Sequence, residues 1–340
     1  MRMWFRPVKG IAFCIVAAFF GSQAMAQVQV KRSFPSAKRI SAFDNTTFCT
    51  AFLSDGSLLT IRDIPIVDLR DVDKIAFNPT GSSLALMRGK KPVSIYSFRD
   101  RNKKLFELKE QRKSKELKGR KNLNFFVPGP VGAELMKDAS KGDIVPVAMC
   151  YGADARNFLV SNSLGEIIVY DTKAYLPQAY IQGKAVATAI TMSPNNYFIA
   201  AGTGKNIDIW NFQTKELRTS LPMPAEVTEL VFSADASQMA GDKRLTIFDT
   251  KTWDKVDIFD KIGGTLTSPS FHPDGKYISV VKDGNAIVIM NLKNSVPEQT
   301  LDENPGGVTG SRFFVNKQTS DVFMLSNRAK GLVFWDANGL

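Results

Sequence analysis

A Ser-His-Asp or Cys-His arrangement for nucleophilic catalysis needs a histidine, and this 340-residue chain has one histidine and three cysteines. His272 stands in "SFHPDGK", where Pro-Asp-Gly marks a tight turn, so it reads as a turn residue and not as the base of a triad. A zinc site fails for want of ligands, since Cys14 falls in an N-terminal apolar run and only two cysteines and one histidine remain. What the chain does carry is charge. Lys and Arg outnumber Asp and Glu 44 to 33, a formal net charge of +11. The densest basic stretch, "EQRKSKELKGRK" (Glu110 to Lys121), has six basic residues and two acids. The next, "NLNFFVPGPVGAEL" (Asn122 to Leu135), is apolar and turn-rich. Phe125 and Phe126 are costly to leave in water, so they cover the protein's own surface or meet a partner. Arg112, Lys113, Lys115, Lys118, Arg120, Lys121, Phe125 and Phe126 are therefore the candidate partner-binding residues. The basic groups would steer an acidic partner and the aromatics would anchor it. No catalytic residue, metal ligand or cofactor is expected.

The N-terminus addresses the chain to export. Arg2, Arg6 and Lys9 precede the apolar run "IAFCIVAAFF" (Ile11 to Phe20), and "AMA" (Ala24 to Ala26) offers small residues to a signal peptidase. Residues 1–26 are expected to be a cleavable signal peptide, leaving a mature chain of charge +8 without a second long apolar run. The mature chain, residues 27–340, is expected in the periplasm or outside the cell with no transmembrane segment.

Two motif series march through that chain. One is an alternating strand ending in a bulky residue and a small polar one: "SLLTIRD", "PVSIYS", "EIIVYD", "NIDIWN", "RLTIFD", "AIVIMN" and "GLVFWD". Their last residues, Asp63, Ser97, Asp171, Asn211, Asp249, Asn291 and Asp336, are spaced 34, 74, 40, 38, 42 and 45. The other is a short hydrophobic strand before each, with anchors Phe43, Phe77, Tyr151, Met192, Phe232, Phe271 and Phe314 spaced 34, 74, 41, 40, 39 and 43. Two series in step at about 40 residues describe a repeat array, and a unit of this size suits four short antiparallel strands. The sequence here resembles the WD-repeat β-propellers: "FHPDGKY" and "FNPTGSS" match that family's inner hairpin, and "IDIWN", "LVFWD" and "IVYDT" its third strand. The Gly-His pair of a strict repeat is missing, so the resemblance implies a looser propeller.

The expected fold is all-β: a single seven-bladed β-propeller domain over 27–340, with 110–143 inserted between blades 2 and 3. The aromatics before the terminal Asp or Asn, such as Trp210 and Trp335, should pack between blades. The last unit lacks an outer strand, and "QVQVKRSF" (Gln27 to Phe34) is expected to supply it. Two columns of the inner strands could line a channel: Ala42, Ala76, Cys150, Thr191, Val231, Ser270 and Phe313, or Ile40, Lys74, Ala148, Ala189, Glu229, Ser268 and Ser311. Either holds at most one acid, too few for calcium. Cys49 and Cys150 fall in non-adjacent units, so no disulfide is expected. The function these features imply is a non-catalytic exported scaffold that docks a protein, acidic or part of an envelope complex. The alternative is a propeller that binds or hydrolyses an anionic glycan or small anion through loop residues. Against nucleic acid stand the export signal and the lack of a basic–aromatic stacking platform.

Overall fold

The computed structural model describes residues 29–34, 73–80, 82–97, 104–108, 144–241, 244–259, 262–301, 307–315, 320–328 and 331–340. Residues 1–26, read above as a signal peptide, the first sequence unit with Phe43 and Asp63, Cys49 and the insertion 110–143 lie outside the described residues. Those described contain no α-helix and form six four-stranded antiparallel sheets. We number the sheets 2 to 7 after the sequence units they realise.

Sheet 2 contains β2 (Lys74–Phe77), β3 (Ser83–Met87), β4 (Val93–Ser97) and β5 (Lys104–Leu108). Sheet 3 contains β6 (Pro146–Tyr151), β7 (Asn157–Asn162), β8 (Glu166–Asp171) and β9 (Pro177–Gln182). Sheet 4 contains β10 (Ala189–Met192), β11 (Phe198–Gly202), β12 (Asn206–Asn211) and β13 (Leu217–Pro222). Sheet 5 contains β14 (Leu230–Phe232), β15 (Gln238–Gly241), β16 (Thr246–Asp249) and β17 (Lys255–Ile258). Sheet 6 contains β18 (Leu266–Phe271), β19 (Tyr277–Lys282), β20 (Ala286–Asn291) and β21 (Val296–Leu301). Sheet 7 contains β22 (Val308–Val315), β23 (Val322–Arg328) and β24 (Gly331–Asp336), and takes its fourth strand from the other end of the chain, β1 (Gln29–Phe34).

Each sheet starts with an inner strand, and the inner strands adjoin in sequence order: β2, β6, β10, β14, β18, β22. The core lies in the layers between consecutive sheets. Ile167, Ile181, Ile190, Ile199 and Trp210, for example, interleave sheets 3 and 4. A sheet covered on both faces favours apolar residues along its middle strands. β8 is buried from Glu166 to Tyr170 and β12 from Ile207 to Trp210, and the two polar exceptions are hydrogen-bonded, Glu166 to Asn162 Nδ2 and Asp208 to Ser220 Oγ. The outer strands β9 and β13 alternate exposed and covered residues instead, as a one-sided strand should. Trp210 is 7% exposed and Trp335, in the layer between sheets 6 and 7, is 3% exposed. The indole Nε1 of Trp335 donates to Ser326 Oγ at 2.9 Å. The aromatics thus pack between sheets, as expected. Burying each side chain contributes about 3 kcal/mol by area.

The polar residue that ends each third strand shapes the turn that follows. Asp171 Oδ1 accepts from the amides of Lys173 and Ala174, Asn211 Oδ1 from Gln213 and Thr214, and Asp249 Oδ1 from Lys251 and Thr252. Asn291 Oδ1 takes the Lys293 amide. Four residues beyond each of these stands a left-handed residue: Tyr175, Lys215, Trp253 and Ser295, with φ of 52°, 63°, 65° and 56°. A short side chain with a carbonyl or carboxylate oxygen is what such a turn demands.

The same irregularity marks the pairing of third and fourth strands throughout. The register shifts between Ile95 and Tyr96, Val169 and Tyr170, Ile209 and Trp210, Ile247 and Phe248, and Ile289 and Met290. In sheet 7, Phe334 pairs with Arg32 and Trp335 with Val30, so the shift falls on the same step of the third strand. β1 therefore fills the outer-strand place of sheet 7 down to its bulge. The strand begins at Gln29 and pairs from there through Phe34.

Candidate functional site

Each inner strand begins at one end of its sheet, here the entry end. The second-to-third-strand turns and the links between sheets lie there too; the opposite end is the turn end. At the entry end, one of the two columns noted in the sequence converges. Lys74 reaches past its own sheet: its Nζ donates to the carbonyls of Val147, near the start of β6, at 3.1 Å and of Thr188, just before β10, at 3.0 Å. Ala148 and Ala189 occupy the matching positions on those sheets, and both are buried. Burial lowers the pKa of Lys74 below the ordinary lysine range, while the charges of Asp73 and Glu229 partly restore it.

The circuit continues around the sheets. Thr188 Oγ1 donates to the Val227 carbonyl at 3.3 Å, and exposed Glu229 accepts the Ser268 amide of sheet 6. Ser268 Oγ donates to the Ser311 carbonyl at 3.1 Å and accepts the Ser311 amide at 3.0 Å, reaching sheet 7. Ser268 makes these bonds because it leaves its own ladder. The register shifts between Thr267 and Ser270, and Ser268 adopts φ of 54°, a costly conformation for a residue with a side chain. A β-bulge of this kind re-aims one residue's groups. Pro269, which cannot donate to a ladder, was the signal in the sequence.

The other column, one residue before each anchor, is spent mostly on packing: Ala76, Val231 and Phe313 are core residues, Cys150 packs against the layer between sheets 3 and 4, and Ser270 Oγ accepts the Phe313 amide. The eight candidate partner-binding residues, Arg112, Lys113, Lys115, Lys118, Arg120, Lys121, Phe125 and Phe126, lie outside the described residues. Their insertion is nonetheless anchored at the entry end. It leaves after Leu108, which pairs with Val93, and returns before Val145, whose amide donates to Ser163 Oγ and whose carbonyl accepts the Ser163 amide.

His272 stands in the inner hairpin turn, as the sequence indicates, its amide bonded to the Tyr277 carbonyl, and its side chain is buried. The ring is 5% exposed and meets Phe313 of sheet 7 edge-on, with centroids 5.1 Å apart. Nδ1 lies 2.7 Å from Asp274 Oδ1, and Nε2 is buried with no hydrogen-bond partner among the described residues. An imidazole so enclosed has no access to a substrate.

Sequence reasoning passed over a second buried polar group. Ser83 Oγ, Tyr175 OH and Tyr151 OH form a chain with spacings of 3.2 and 2.9 Å between sheets 2 and 3. Burial pushes the Tyr151 hydroxyl well above its ordinary range and raises that of Tyr175, so both stay protonated and act as links. Among the described residues, no three His, Cys, Asp or Glu are grouped to hold a metal ion. No model of a known protein family matches the sequence, and no curated protein matches it either.

Proposed function

We propose that this chain is an exported, non-catalytic interaction scaffold: a seven-bladed, WD-repeat-like β-propeller that docks a protein partner through the insertion 110–143. The first sequence unit, with the same strand pattern and spacing as the others, supplies the blade between sheet 7 and sheet 2 and completes the ring. The recurrence of one bulge at one step of six sheets, including the sheet finished by β1, supports reading them as equivalent blades. The N-terminal signal directs the chain to the periplasm or beyond, and the mature charge of +8 favours an acidic partner.

The observation that carries the docking role is the contrast at the entry end. Lys74, Glu229 and Ser268 are engaged with neighbouring sheets, while the one long link of the array departs from this same end. Long insertions on repeat scaffolds are where specific contacts are added. The test is to replace residues 110–143 with a short Gly-Ser link and compare capture of partners from the cell envelope. Loss of an acidic protein with the fold intact supports the reading. Retention of every partner, or capture of an anionic glycan alone, overturns it.

A further inference from the structure

Lys74 places a primary ammonium where two separate segments of chain present carbonyl oxygens, Val147 O at 3.1 Å and Thr188 O at 3.0 Å. Its charge is felt together with those of Asp73 and Glu229. An –NH3+ group has three protons to give, and carbonyl dipoles beside a carboxylate field are what such a donor seeks. Nothing in this arrangement depends on the lysine belonging to β2. The oxygens come from Val147, near the start of β6, and from Thr188, just before β10.

We propose that the entry end of the inner strands is a binding site for a primary ammonium ion, and that the native chain fills it with its own Lys74. The tethered cation fixes the relative position of sheets 2, 3 and 4, since its two bonds span 73 and 114 residues of sequence. The site selects a compact –NH3+ over a quaternary ammonium, which has no proton to donate, and over sodium, for which two carbonyl oxygens form too sparse a shell. Tethering raises the local concentration of the ammonium far above any free amine, so the native site is saturated.

Removing the tether should expose the site. Lys74→Ala leaves the oxygens and opens the path, whereas Lys74→Met fills the path without an ammonium. The melting temperature of each full-length variant, and of the parent, is measured at pH 7 in n-propylammonium, tetramethylammonium or sodium chloride of equal ionic strength. Both variants should melt below the parent in sodium chloride. n-Propylammonium should raise the Lys74→Ala midpoint saturably, with little effect on Lys74→Met or the parent. Should Lys74→Ala fail to fold alone, its refolding yield in the three salts is read instead, with recovery expected only in n-propylammonium. The proposal is overturned if Lys74→Met melts with the parent, if the three salts act alike on Lys74→Ala, or if n-propylammonium restores neither midpoint nor yield.

Discussion

At the turn end of sheets 3 to 5, Asp171, Asn211 and Asp249 each bond backbone amides two and three residues ahead. At the entry end of the same array, Lys74 bonds carbonyls 73 and 114 residues away, and Ser268 bonds Glu229 and Ser311 at separations of 39 and 43. The Ser83–Tyr175 hydroxyl pair also joins two sheets at the turn end, but the Asp and Asn turns there are closed by their own residues, so the two ends share the labour of the fold unequally. A turn closed by its own residues can form in each sheet separately and costs little chain entropy. A bond between sheets forms only once the sheets are side by side, so it reports and enforces their arrangement. Local bonds make the blade-like unit, and distant ones make the array.

The contrast can be broken from its long-range side first. Deleting residues 27–34 removes the most distant pairing of all, β1 with β24, and leaves β24 an open edge beside Trp335. The expected result is a fall in melting temperature of about 10 °C or more, or loss of a cooperative transition. A shift under about 2 °C would show that sheet 7 does not need its borrowed strand. Next in size come the two tryptophans. Trp210→Ala and Trp335→Ala should each cost about 3–5 kcal/mol in urea unfolding, because both empty a packed layer between sheets. A cost under about 1 kcal/mol for Trp335 alone would mean that the layer beside the borrowed strand is loosely packed.

The local side should yield smaller effects. Asn211→Ala deprives two amides of their acceptor in a single turn and should cost about 1 kcal/mol, with no change in the other sheets. A loss of several kcal/mol would mean that the turns, too, serve the whole array. Smallest is the exchange Asp171→Asn with Asp249→Asn, which keeps the accepting oxygen and removes the charge. Amide donors, from Ala174 first for Asp171 and from Thr252 first for Asp249, hold these carboxyls below their usual range. Their contribution is therefore present above the unfolded carboxyl value of about 4 and lost as pH falls through the lower folded value. The double variant should match the parent at pH 7 within about 0.5 kcal/mol and lose less stability on titration below about pH 4. Equal acid profiles would show that the charge adds nothing beyond the oxygen.

This division also explains what could be read from the sequence. The ends of the third strands were legible because Asp171, Asn211 and Asp249 carry their instruction in their own side chains and act within a few residues. The place of β1 was legible by arithmetic, since the last unit was one strand short and Val28 and Val30 alternated with polar residues. Lys74 and Glu229 stood out as the only charges in their column, but the atoms Lys74 binds are backbone carbonyls, which every residue has. No pattern of side chains marks Val147 or Thr188 as their owners. The turn of His272 was legible, but its burial was not, for the same reason. Its turn was written in Pro-Asp-Gly, while its burial is set by Phe313, a residue of the next sheet.

The pairing of β1 with β24 also sets an order of events. β1 must wait for β24, since Gln29 meets Asp336 and Phe34 meets Leu332. Sheets 2 to 6 each take all four strands from one contiguous stretch of chain, whereas sheet 7 completes β22 to β24 with a strand that precedes every other described sheet in sequence. Its closure is the step of highest contact order and should be the slowest in folding. Strain that peels the chain from either terminus has to break this strand pair before it reaches any other sheet. A circular permutant with its native ends joined and new ends between β21 and β22 would build sheet 7 from adjacent strands, and should refold faster at similar stability.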